Sequence, residues 1–341
     1  MKLFAVSAIA GLIISLAGST LAHDEKKGEK IERSMTVDPQ ATVTLCVASG
    51  ALKVHGWDKN EIRVRSLDAV QLDFRRIDKI KDPSKPATRV DVMVFDKESA
   101  ANPKRDCQAI ADVEMEVPSG AIVQVQTRDG DITITGVAGA YAGSQNGDIT
   151  IERATKMVEA GSVGGSIYLK NSSGRVSLSS AGGGVEVVNV RSETDEDTFE
   201  VGTVSGDIHL DRVSNSKVTA KTVNGTVTMV GPLAKAGWYG FTNVTGDVVL
   251  ALPSDASFKL NAKVSEKQNI VSDFKLTFLS DTPPPPPTVV KPRSPEATPK
   301  PPAPVPVVVP YVLRRINAVC GSGDATVSVA SFGGTIRIKK I

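Results

Sequence analysis

The sequence predicts an all-β fold, a right-handed parallel β-solenoid with a Pro-rich looped-out insertion, on three observations. A short apolar template around a Gly recurs along the chain, its copies are spaced by about one coil of short strands, and a single proline-dense segment interrupts them. The template reads apolar, x, apolar, x, Ser/Thr, x, turn residue, Gly, x, apolar, x, apolar. It is carried by Val123, Val125, Thr127, Asp129-Gly130, Ile132 and Ile134, and returns as Ala140, Ala142, Ser144, Asn146-Gly147, Ile149, Ile151. Further copies start at Val158 (Gly164-Gly165), Phe199 (Ser205-Gly206), Val218 (Asn224-Gly225) and Tyr239 (Thr245-Gly246). Val43, Leu45, Val47, Ser49-Gly50, Leu52, Val54 and Val327, Val329, Ser331, Gly333-Gly334, Ile336, Ile338 carry it at the two ends.

Alternation on each side of the Gly gives two short strands with one buried face. The Gly is expected where the chain turns with positive φ, after a turn-forming Asn, Asp, Ser or Thr. A hairpin meander satisfies the same local pattern. Copy spacing favours stacked coils, because Gly130 to Gly147 is 17 residues, Gly206 to Gly225 is 19 and Gly225 to Gly246 is 21. A meander also gives no reason for the Ser, Thr or Asn three residues before each Gly. In stacked coils Thr203, Thr222 and Asn243 form a corner ladder, each expected to bond its neighbour. The register puts Ile149, Ile167, Ile208, Val227 and Val248 inward and Thr150, His209 and Thr228 outward.

In chain order, Lys2, the apolar run Leu3 to Ala17 and Ser19-Thr20-Leu21-Ala22 read as a signal peptide over 1–22. The run is shorter than the roughly 20 residues that span a bilayer, and no Cys stands at the cleavage site. The expectation is an exported chain without an integral membrane anchor, in the periplasm, at the cell surface or in the medium. Residues 23–35, with the mixed charges of His23 to Lys30, are expected as a charged disordered arm. The solenoid spans 36–281. Within it Ile62–Arg65, Val90–Val94 and Val113–Val117 read as strands, Leu67 to Ile80 as a short helix, and Ser173 to Leu178 and Gly184 to Val187 as half-copies. Residues 282–311 contain Pro283 to Pro287 in a row and cannot join a sheet ladder, so they are expected as a disordered insertion. Residues 312–341 supply closing strands, with Phe274 to Phe278 and Val327 to Val329 close together if the last coil stacks on the preceding one.

Net charge of +2, from Lys+Arg 40 against Asp+Glu 38, gives no basic excess for nucleic acid. Aromatic residues make up 4% of the chain, which weakens sugar or base stacking. Cys46, Cys107 and Cys320 lack the spacing of a zinc site. Export permits a disulfide, and Cys46 with Cys107 is the expected pair, since both precede the regular repeat and Cys320 lies at the far end.

No catalytic, cofactor-binding or metal residues are assigned. His23, His55 and His209 have no partner implied by spacing, and Ala181-Gly182-Gly183-Gly184 lacks the Lys of a phosphate loop. Stacking would set Asp131 and Asp148 about 4.8 Å apart, which invites a cation such as calcium. Ser166 and Thr226 interrupt the row made with Asp207 and Asp247, and solvated turn acids are the plainer expectation.

The segment Ser49-Gly50-Ala51-Leu52-Lys53-Val54-His55-Gly56-Trp57-Asp58, the repeated Asn/Ser-Gly-Asp-Ile copies and Ser331-Phe332-Gly333-Gly334-Thr335-Ile336-Arg337-Ile338 resemble a family of bacterial exported β-strand-repeat proteins. That family is a domain of unknown function labelled "putative adhesin". The resemblance spans roughly Thr36 to Ile341 and brings no catalytic residues. It implies a non-enzymatic scaffold binding a surface or envelope ligand, protein or glycan; the charge balance, separately, argues against a nucleic-acid partner. The alternative is a carbohydrate-active β-helix enzyme, a lyase or glycosidase, which needs carboxylates converging in a groove.

Overall fold

The computed structural model describes residues 30–79, 82, 84–101, 107–265, 269–279 and 313–341. The expected signal peptide and Pro-rich insertion lie outside them, as does most of the charged arm. Each regular coil has a front strand, a Gly corner and a back strand. Front strands include Ile122–Asp129, Gly139–Asn146, Met157–Ser162, Arg175–Ser180, Thr198–Ser205, Lys217–Asn224 and Trp238–Thr245. Back strands include Ile132–Thr135, Ile149–Glu152, Ile167–Ser173, Val185–Arg191, Ile208–Val213, Val227–Val230 and Val248–Leu252.

Like strands stack in parallel and in register, so that Val158 meets Val176, Ala160 meets Leu178, and Ile149 meets Ile167. Identical positions therefore form columns along the axis. Alternate columns point between the two sheets and make one continuous core. Ile149, Ile167, Ile208, Val227 and Val248 are buried, His209 is exposed, and Thr150 and Thr228 are partly exposed, as the register requires. The chain is a β-solenoid and not a hairpin meander.

The segment read as half-copies is a complete coil. Val176, Leu178, Ser180, Gly182-Gly183, Val185 and Val187 follow the template, and Ser162 pairs with Ser180, which pairs with Thr203. Leu67 to Ile80 holds a strand, Gln71–Arg76, antiparallel to Ala87–Phe95, with Leu72 buried. The cross-strand partner settles what an ambiguous period left open, and the short helix occurs later, at Lys97–Ala101. The first strand begins at Ile31, inside the expected arm, because Ile31 to Thr36 pair antiparallel with Ser66 to Glu61.

Coils at both ends stack out of sequence order. The half of Ile31–Ser49 from Thr42 onward lies between Ala87–Phe95 and Ile122–Asp129, and Leu52–Trp57 lies between Val113–Pro118 and Ile132–Thr135. At the other end Ala325–Ser331 and Ile336–Lys340 sit between the coil Trp238–Leu252 and the strands Phe258–Ser265 and Ile270–Ser272. The last coil is thus inserted and does not close the stack. Thr277–Phe278 instead pairs antiparallel with Leu313–Cys320, which in turn covers Phe258–Ser265. Antiparallel strands cap both sheets at the first end and the front sheet at the second, where they oppose the addition of another parallel coil.

Candidate binding surface

The residues the sequence singles out at the front corner hold the coils together. Ser144 Oγ donates to the Gly130 carbonyl at 3.2 Å, Ser162 to Gly147 at 3.2 Å, Ser180 to Gly165 at 2.8 Å, Thr203 to Gly183 at 2.9 Å and Thr222 to Gly206 at 3.1 Å. The column exists, but its hydroxyls do not bond each other as expected. The corner carbonyl has no ladder partner, and the hydroxyl of the next coil satisfies it. Asn243 and Ser331 turn to carbonyls of their own corners, Gly246 and Gly334.

The Gly column is set by close approach more than by φ. Gly50 and Gly246 are left-handed, at φ 130 and 119°, whereas Gly147 and Gly165 are not. A Cβ on Gly165 would lie 2.0 Å from the Gly147 carbonyl oxygen. The opposite corner carries the conformational signal that sequence reading missed. Arg153, Asn171, Asn189 and Arg212 adopt φ of 53, 50, 57 and 51°, with Gly136 at 72° in the same row. Asn is the visible clue, since it tolerates this region, and Asn189 Nδ2 donates to Asn171 Oδ1 at 2.8 Å.

The aspartate row is also structural. Asp131 Oδ1 accepts the Asp148 N–H at 2.9 Å, Asp148 accepts Ser166 N–H at 2.8 Å, Asp207 accepts Thr226 N–H at 2.7 Å and Asp247 accepts Thr335 N–H at 2.8 Å. Each carboxylate caps the following coil, so backbone dipoles absorb the charge that suggested a cation. Among the described residues no three metal-ligating side chains form a group.

His55 stands beside Glu116 across the back sheet. Glu116 bonds Arg63, and that bond chiefly holds its carboxyl below the usual range, with Arg65 at 3.6 Å and His55 adding to it. A glycosidase acid needs the opposite shift. Asp96 caps the helix Lys97–Ala101, accepting N–H groups of Ser99 at 2.7 Å, Glu98 at 3.0 Å and Ile110 at 2.8 Å. Burial works to raise its carboxyl, and these donors outweigh it and hold the group low.

Cys46 and Cys107 form the expected disulfide, while Cys320 is free and buried, its thiol pushed up by that burial. The disulfide borders a groove of about 380 Å³ lined by Thr44, Arg75, Asp91, Phe95, Gln124 and Gln126, with Arg75 and Asp91 paired at 2.8 Å. Gln124 and Gln126 lead into a second shallow trough of about 380 Å³ over Tyr141, Gly143, Gly161 and Ser179. Gln126, Gly143, Gly161, Ser179 and Gly202 are successive register partners, so small side chains floor the front face along the axis. Beside it Val163, Val204, Val223, Val244 and Phe332, each one residue past the buried corner column, make an exposed apolar ridge. No helix of the described residues is long and apolar enough to cross a membrane.

Residues 110–274 match the family model Toastrack DUF4097, a β-solenoid domain of unknown function. No curated protein matches the chain. Among solved structures, a "putative cell adhesion protein" from Clostridium sporogenes is 11% identical, covers 92% of this chain and 100% of its own, and has a TM-score of 0.19. A "putative adhesin" from Parabacteroides distasonis is 8% identical over 66% of this chain and 91% of its own, with a TM-score of 0.38. Another from Parabacteroides merdae is 10% identical over 66% and 90%, also at 0.38.

Proposed function

We propose that this chain, which matches Toastrack DUF4097 over residues 110–274, is an exported, non-enzymatic scaffold that adheres to a surface or envelope ligand, protein or glycan. One observation carries the reading. The corner and core columns account for the fold, while the outward front-face columns run in register over successive coils with no part in the core. A rigid face of regularly spaced small and polar side chains suits an extended ligand, because binding loses little conformational entropy in the scaffold. The carboxyls whose pKa is shifted among the described residues, Glu32, Asp82, Asp96, Glu116, Asp129 and Asp197, all shift downward, which favours anchoring over acid catalysis. The adhesin names of the solved structures describe those proteins; the reading here rests on the faces. The test is a glycan and matrix-protein array with the purified chain, run beside an assay for released reducing sugar. Binding without sugar release supports a scaffold; sugar release from a bound polysaccharide replaces it with the lyase or glycosidase reading.

A further inference from the structure

Four front strands stack side by side in the order Lys217–Asn224, Trp238–Thr245, Ala325–Ser331 and Phe258–Ser265. None contains an Asp or Glu. Their neighbour Thr198–Ser205 presents Glu200, so within the strands acidic side chains stop where this block begins, and Asp324 stands at its margin just before the third strand. Lys217 and Lys221 stand exposed on the first strand, and Lys259 and Lys263 on the fourth. In-register stacking sets the two strands about 14 Å apart, and each lysine pair about 13 Å apart along its strand. None of the four makes an ion pair among the described residues.

Trp238 lies within this frame. It is 40% exposed, and its indole rests across Gly240, where a Cβ would come 2.4 Å from the ring. Gly240 is buried although its strand position faces outward, because the ring covers it. The six-membered ring is therefore laid against the backbone at Gly240, and the side chain keeps part of its surface exposed. Outward Thr219, Ser328 and Asn261 supply hydroxyls and an amide on the floor.

We infer that this block is a binding site for an anionic glycan, with a sugar ring on Trp238 and its charges on the lysine frame. The inference deepens the scaffold reading and rests on it. The weakly positive C–H groups of a pyranose match the negative π face, and hydroxyl and amide side chains match its hydroxyls. Lysines separated by about 13 to 14 Å suit a polymer carrying several anionic groups better than a single small anion. A single-stranded nucleic acid shares the charge, but it uses successive stacking aromatics, and this face offers Trp238 alone among its outward positions on the four strands.

The test uses the purified chain with Trp57→Phe, which leaves Trp238 as its reporter, since the sequence holds 2 Trp. Titrants are a heparin oligosaccharide, a polygalacturonate oligosaccharide, neutral dextran and single-stranded oligothymidylate. Sulfate and carboxylate arms distinguish the anionic group. We expect one or both anionic glycans to change Trp238 emission, and affinity measured by titration calorimetry to fall at least tenfold in Trp238→Ala and in the quadruple variant K217Q/K221Q/K259Q/K263Q. Added salt weakens binding of the parent and not the residual binding of the quadruple variant. Gly240→Ser keeps the indole but lifts it from the strand, so it must weaken binding as much even where Trp238→Ala fails to fold. Lys53→Gln, on the back sheet, leaves binding unchanged. Equal binding of dextran or oligothymidylate, no binding of either anionic glycan, or affinity unmoved by Gly240→Ser overturns the inference. Array ligands that bind independently of Trp238 overturn this site and leave the scaffold reading standing; an array with no ligand overturns that reading as well.

Discussion

Replacing Gly165 by Ala puts a methyl group 2.0 Å from the Gly147 carbonyl oxygen and 2.4 Å from its carbon. Both obstacles are backbone of the adjoining coil, so no side-chain rotation relieves them. Ordinary contact begins near 3.4 Å, and the corner must open by about 1.4 Å. Three bonds cross it: Ser162 Oγ to Gly147 O at 3.2 Å, Ser166 N–H to Asp148 Oδ1 at 2.8 Å and Ile149 N–H to Ser166 O at 2.9 Å. Lengthened by that amount they are lost. Each contributes about 1 kcal/mol net, and more where a buried group is left unpaired, so the expected cost is about 3–5 kcal/mol. That is a large part of the 5–15 kcal/mol typical of a folded domain. Gly161→Ala is the matched control, since its Cβ meets only the Ser179 carbonyl at 3.9 Å. It is expected within about 1 kcal/mol of the parent, with the lower unfolded-state entropy of Ala working in its favour. Urea unfolding followed by far-ultraviolet circular dichroism compares the two. If Gly165→Ala costs no more than Gly161→Ala, the close-approach account of the Gly column is refuted.

Reducing the Cys46–Cys107 disulfide releases a loop with sequence separation 61, so unfolding in the presence of reductant should show a loss of about 4 kcal/mol. Asp96 and Asp197 have folded pKa values below the ordinary value of about 3.9, so their contribution is complete above that pH and is lost as pH falls through the lowered folded values. Asp96→Asn should therefore lower the unfolding midpoint at neutral pH and flatten its acid dependence; an unchanged acid limb in a titration of thermal unfolding would refute the assignment. A short Gly/Ser linker in place of residues 282–311 should keep cooperative unfolding, because the flanking strands already pair, with the Leu279 N–H on the Asn317 carbonyl at 2.8 Å, and closure entropy changes by only about 0.6 kcal/mol per doubling of loop length. Loss of a single thermal transition would show that this segment belongs to the fold.

The columns were legible because a period of two and a fixed Gly leave one register: shifting Ile208 outward would bury His209. The coil at Val176 to Val187 was not read as a unit because its corner is Gly182-Gly183 inside a Gly run, which hides the phase that an Asn or Asp marks elsewhere. Stacking order was illegible for a different reason. Every coil presents nearly the same edge, so periodicity gives the coil and not its neighbours. The hydroxyl column was foreseen by residue type, but its acceptors were the backbone carbonyls that a corner strands. Aromatic content weighs against stacking, and it carries no information on placement, such as the indole of Trp238 lying over Gly240.

The inserted end coils bear on how the chain folds. In the middle of the stack each strand finds its partner in the next coil, as Val158 finds Val176, and structure can spread from any point. Val43 instead pairs with Val90 on one side and Val123 on the other, and Val327 pairs with Tyr239 and Leu260. Such long closures are entropically late. The central coils are thus the natural nucleus. Strand Ile31–Ser49 can meet Glu61–Ser66 and Ala87–Phe95 early, but has both its front-sheet neighbours only once Ile122–Asp129 is in place, so the front-sheet wall is completed there last.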